Sequence, residues 1–112
     1  MKRIIFAAAF SLVAFASGAS AQTIERADGL YSACKAGDNL NMCAMYLAGF
    51  TGGAYAQSVV DKGSVRYCLP SGTTHKQNLD TVLRYLDSNP QARGQPTAVA
   101  IYMALAQAHP CK

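Results

Sequence analysis

The stretch "RYCLPSGTTHKQNLDTVLRYLDSNPQ", residues 66 to 91, sets a cysteine and a proline directly before a strongly patterned helix. Thr74 with Gln77 three residues on fits a capping box, which satisfies otherwise unpaired amide groups at a helix start. Leu79, Val82, Leu83 and Leu86 then recur at helical spacing on one face. Asp80 and Arg84 stand at i, i+4 on the polar side, placed for a surface ion pair. Asn89-Pro90 stops the helix, because the residue before a proline disfavours helical geometry. One firmly bounded amphipathic helix, with no alternating strand pattern around it, points to an all-α domain.

The flanking segments read the same way. Ile24, Ala27, Leu30, Tyr31 and Cys34 share one side of a first helix over about Ile24 to Ala36, which Gly37 ends. "GDNLNMC" turns the chain into a longer helix, roughly Leu40 to Lys62, with a core stripe of Cys43, Tyr46, Leu47, Phe50 and Ala54. A second row on that helix is small: Ala48, Gly49, Gly52, Gly53 and Ala56. Each glycine costs about 1 kcal/mol against alanine inside a helix. Three of them within five positions imply close approach by another helix, inside the monomer or across a dimer. Gly63 closes the helix and "SVRYCLPSG" is an irregular connector. Beyond the opening stretch, "SNPQARGQ", from Ser88 to Gln95, is the longest polar loop. Pro96 then suits the first position of a last helix. "PTAVAIYMALAQAH" is apolar on nearly every side, which predicts a central, largely buried element. The expectation is a small four-helix single domain.

Residues 1–21 stand apart. Lys2 and Arg3 precede the short apolar run "IIFAAAFSLVAFA", and "ASA" at 19 to 21 supplies the small residues that a signal peptidase requires. The pattern is that of a secretory signal cleaved before Gln22, since the run is short for a membrane anchor. The functional domain is then Gln22 to Lys112, exported and not inserted in a membrane. Without Lys2 and Arg3, eight basic residues face six acidic ones, a net charge of +2. That balance, with no basic run, argues against nucleic acid as a partner.

All four cysteines, Cys34, Cys43, Cys68 and Cys111, follow the signal. An even count in a small exported chain reads as two disulfides, of which three connectivities are possible. Metal and haem spacings are absent: there is no C-x-x-C, and His75 and His109 form no ligand-like pair. In an up-and-down layout, Cys34 and Cys43 fall at one end of the bundle and Cys68 and Cys111 at the other. That favours Cys34–Cys43 and Cys68–Cys111, each worth roughly 3–4 kcal/mol in the loop-entropy picture. A domain of this size buries little more than about 60% of its unfolded surface and benefits from such staples. No catalytic constellation emerges, because the thiols are used in bridges and the histidines have no partner base or acid beside them. Glu25, Asp28, Asp38, Asp61, Asp80 and Asp87 are scattered and read as solvated surface charges. The six tyrosines read mainly as core or rim residues, with any exposed subset able to anchor an interface. From its residues alone the chain reads as an exported, disulfide-stapled helical binding module, neither an enzyme nor a cofactor carrier.

"LYSACKAGDNLNMCAMYLAGFTGGAY", "YCLPSGTTHKQNLDTVLRYLDSNPQAR" and "AVAIYMALAQAHPC" together resemble the Rap/Tai-type periplasmic immunity proteins of type VI secretion amidase effectors. The resemblance covers almost all of the chain after the signal. It implies an all-helical fold, often a homodimer, that binds a peptidoglycan amidase and blocks its cysteine–histidine cleft without doing chemistry. It also directs attention to the loop Asn89, Pro90, Gln91, Ala92, Arg93, Gly94 and Gln95 as the partner-binding element. Because the matching residues are mostly cysteines, glycines and core, they specify the fold more closely than the partner. A competing expectation is a periplasmic stress or chaperone-type protein with promiscuous, conditional binding.

Overall fold

The computed structural model describes residues 24–112, so the signal segment and the cleavage before Gln22 expected from the sequence lie outside the described residues. Four α-helices follow in order: α1 (Ala27–Lys35), α2 (Leu40–Val60), α3 (His75–Ser88) and α4 (Thr97–Ala108), with a 3₁₀ turn (Pro90–Gly94) between the last two. Among the described residues the only β pairing is two isolated bridges, Arg26 with Pro96 and Tyr67 with Pro110.

The helix that organises the bundle is α3. Its start carries the full capping box: the Gln77 amide N–H donates to the Thr74 hydroxyl at 3.1 Å, and the Thr74 N–H donates to the Gln77 side chain at 2.9 Å. Leu79, Val82, Leu83 and Leu86 are all buried, as the spacing requires. α3 lies between α2 and α4 and makes the most extensive contacts with both. The i, i+4 pair expected of Asp80 and Arg84 does not form. Among the described residues the ion pairs join Arg26 to Asp28 and Lys35 to Asp87. An exposed pair gains little over solvation, so spacing alone does not hold it together.

α1 begins three residues later than its apolar pattern suggests. Residues 24–26 instead pair with the start of α4: Thr97 donates its N–H to the Glu25 carbonyl at 2.8 Å and its hydroxyl to the Ile24 carbonyl. The Ala27 N–H donates to the Gln95 carbonyl at 2.9 Å, completing the junction. These bonds consume groups that a longer α1 would have used internally.

The disulfides join Cys34 to Cys43, with Cα atoms 6.0 Å apart, and Cys68 to Cys111, 5.0 Å apart. The first is buried between α1 and α2, and the second lies exposed at the surface. Beside the second, the Cys68 N–H donates to the His109 carbonyl at 2.8 Å, so the entrance to α3 is tied to the exit of α4. Tyr67 packs edge-on against Tyr102, ring centroids 5.5 Å apart, and the Tyr102 hydroxyl accepts from the Arg66 N–H.

One further expectation is corrected and another is narrowed. α4 is not buried all round: Thr97, Ala100, Ile101, Ala104 and Leu105 face the core, while Val99 and Met103 are exposed. Its alanines make every face look apolar in the sequence, yet only one face meets α1 and α3. The glycines of α2 are not packed inside the monomer either. A Cβ added at Gly49, Gly52 or Gly53 would meet nothing within 4 Å, and all three face solvent. Of the expected α2 stripe, Cys43 and Leu47 are buried, and Tyr46 and Phe50 pack at its edge.

Candidate functional site

The polar segment after α3 is ordered by its ends and by its middle. Pro90 fixes the backbone at the start of the 3₁₀ turn, and Ala92 turns inward and is buried. Asn89 donates its side-chain amide to the Tyr85 carbonyl at 2.9 Å, and the Gln95 N–H donates to the Ala92 carbonyl at 3.1 Å. Arg93 folds back across the turn. Its Nε donates to the Leu86 carbonyl at 3.0 Å, and its guanidinium stacks 4.0 Å from the centre of the Tyr31 ring. A cation over an aromatic face contributes about 0.5–1 kcal/mol where solvent reaches it.

Tyr31 is held in turn from α3. Its hydroxyl donates to the Asp87 carboxylate at 2.5 Å, and Lys35 reaches the other carboxylate oxygen at 2.5 Å. The hydrogen bond from Lys35, then that from Tyr31, holds the Asp87 carboxyl below its ordinary range. The same bond to Asp87 raises the Tyr31 phenol. Asp87 is therefore the centre of a cross-helix cluster, not the solvated surface charge its scattered setting suggests. Tyr31, Lys35, Asp87 and Arg93 together join α1, α3 and the turn.

Of the seven loop residues, Pro90, Gln91, Gly94 and Gln95 are exposed, Asn89 and Arg93 are half-buried, and Ala92 is inside. Of the exposed group, Gln91 and Gln95 form the rim of a groove of about 350 Å³ that is also lined by Ala92, Val99, Ala100 and Met103. No charged side chain lines it. An apolar floor with an uncharged polar rim suits a protein segment that brings one apolar side chain and backbone amides. Val99 and Met103 were not singled out in the sequence, because an alanine-rich helix gives no contrast between its inward and outward faces. Tyr31 and Asp87 lie 56 positions apart, and no local pattern joins them.

A second exposed surface lies on α2. Met42, Met45, Tyr55, Val59 and Val60 all stand out from that helix.

A family model described as Rap1a immunity proteins matches residues 26–111, which takes in all four helices, both disulfides and the turn. Neither the curated proteins nor the solved structures give a significant match.

Proposed function

Because this chain belongs to the Rap1a family of immunity proteins, we propose that its effector partner is a peptidoglycan amidase delivered by type VI secretion. The protein binds that enzyme in the periplasm, after loss of residues 1–21, and acts as a homodimer. It blocks the cysteine–histidine cleft with the turn from Asn89 to Gln95, and the adjoining groove receives an edge of the cleft. The family match over residues 26–111 carries this reading. The ordering of the turn supports it. Asn89 is bonded to α3 and Arg93 to both Leu86 and Tyr31, so the segment is held before a partner arrives and loses little entropy on binding. No described helix is long and apolar enough to cross a membrane.

The test is inhibition. A cysteine–histidine amidase from a strain that carries this chain is incubated with peptidoglycan, with and without the purified oxidised protein. Release of cleaved peptides is then followed. Suppression at near-stoichiometric protein, lost at least tenfold in a Gln91→Arg/Gln95→Arg variant, is the expected result. Unchanged digestion across all such amidases would remove the amidase reading. Inhibition that survives the double variant would move the contact away from the turn.

A further inference from the structure

We infer that the effector contact continues beyond the turn along the crease between α3 and α4, where Arg84 takes a carboxylate side chain from an extended stretch of the effector. This deepens the amidase reading above and rests on it. Three hollows lie along the crease and share their walls. The groove beside the turn and a middle hollow of about 300 Å³ have Tyr85 and Asn89 in common. The middle hollow and a larger one of about 600 Å³ at the entrance of α3 have Thr81 and Arg84 in common. On the α4 side the lining is low. Ala100, Ala104 and Ala108 follow at four-residue intervals from the first hollow into the second, and His109 borders the third.

Arg84 is exposed and is the one charged side chain that lines the middle hollow. Among the described residues it enters no ion pair, although Asp80 stands one turn away. Asp80 lines only the outer hollow, so no acid faces the middle one. Arg93, by contrast, is already engaged by the Leu86 carbonyl and the Tyr31 ring. A guanidinium left without a partner offers a planar donor fork that fits a carboxylate with two parallel hydrogen bonds. Arg84 is also the only lysine or arginine lining any of the three hollows. One such cation is too few for a nucleic acid or an anionic membrane, each of which calls for a basic cluster.

The neutral polar walls fit a stretch whose backbone groups are unpaired, more than a helix whose amides are bonded internally. Along α3, Gln77 to Asn89 spans about 18 Å, enough for five or six extended residues at about 3.3 Å each. The chemistry also changes along the way. No charge lines the turn end, which suits an apolar side chain, and the middle hollow presents Arg84. Asn89 and Arg84 are separated by about 8 Å of helix, so the acid follows the apolar residue by about two or three positions.

Biolayer interferometry of the immobilised oxidised protein with a cysteine–histidine amidase from a strain that carries this chain tests this. Arg84→Glu is expected to weaken binding roughly tenfold or more, and Arg84→Lys by less, because an ammonium does not reproduce the planar fork. Both losses should shrink at high salt. Melting temperatures should move little, since Arg84 has no ion-pair partner in the monomer to lose. With Gln107 replaced by a photo-reactive residue, one amidase stretch containing Asp or Glu should be labelled. Reversing that acid to Lys should restore binding to Arg84→Glu. If Arg84→Glu binds as the wild type does while Gln91→Arg/Gln95→Arg fails to, the crease contact is overturned and the turn reading stands. A labelled stretch without an acid would overturn the carboxylate assignment. A wild type that binds no such amidase would overturn the amidase reading, and this inference with it.

Discussion

α2 and α3 are the two longest helices, they pack on each other, and they are built on opposite plans. α3 is complete within the monomer. Its start is capped, its leucines and Val82 are buried, and its charged residues point outward or, in Asp87, toward named partners. α2 has no side-chain cap, no charge and an apolar residue on nearly every face. Only the side bearing Cys43 and Leu47 is covered. The difference teaches that amphipathic contrast, more than apolar content, marks a helix whose packing is finished. A helix without contrast inside a small domain still has a surface to cover.

The sharpest way to press that comparison is to truncate one residue on each helix. Leu79→Ala on α3, at a side chain with no exposure, is expected to cost about 2–5 kcal/mol. Met45→Ala on α2, measured at a dilution where no pairing occurs, is expected to stay within about 0.5 kcal/mol. Urea unfolding followed by circular dichroism reads both, and similar costs would break the contrast. A smaller effect tests the capped start. Thr74→Ala is expected to destabilise by about 1 kcal/mol, with the denaturant midpoint lowered and its slope unchanged. A change confined to the slope would point to the unfolded state instead.

The smallest effect concerns Asp87 and has a definite sign. Its carboxyl titrates lower in the folded protein than in the unfolded chain, held down first by Lys35 and then by Tyr31. The folded state therefore gains stability at any pH above the ordinary carboxylate value near 4, and loses it as pH falls through the lowered value. Asp87→Asn is expected to reduce the acid slope of stability without altering the fold. An unchanged acid limb would show that the cluster contributes nothing measurable. The same variant loosens Tyr31 under Arg93, so amidase inhibition should weaken several-fold even at neutral pH, where the fold is intact.

The parts of this molecule that obey local rules were legible in the sequence. Thr74 and Gln77 announce their capping box because both lie in one turn, and Leu79 to Leu86 announce a buried face because polar residues separate them. The end-to-end layout favours Cys68 with Cys111, and the structure has that bridge. What escaped depends on long-range juxtaposition. Asp87 gains its role only when α1 brings Tyr31 and Lys35 beside it. Val99 and Met103 are indistinguishable from core until α4 has chosen which side to present. Gly49, Gly52 and Gly53 do signal a close approach, but a sequence cannot say whether the approaching helix belongs to the same copy.

The two disulfides differ in how a thiol reaches them. Cys34 and Cys43 are each 1% exposed, whereas Cys68 and Cys111 lie at the surface. An attacking thiolate needs access to sulfur, so under a mild reductant the bridges open one after the other, the outer one first. The species formed in between keeps α1 covalently fastened to α2 but leaves the entrance of α3 joined to the exit of α4 only by the Cys68–His109 hydrogen bond and the Tyr67–Pro110 bridge. Its slack therefore lies at the far end of the bundle, and the buried bridge keeps the junction of α1 and α2 closed.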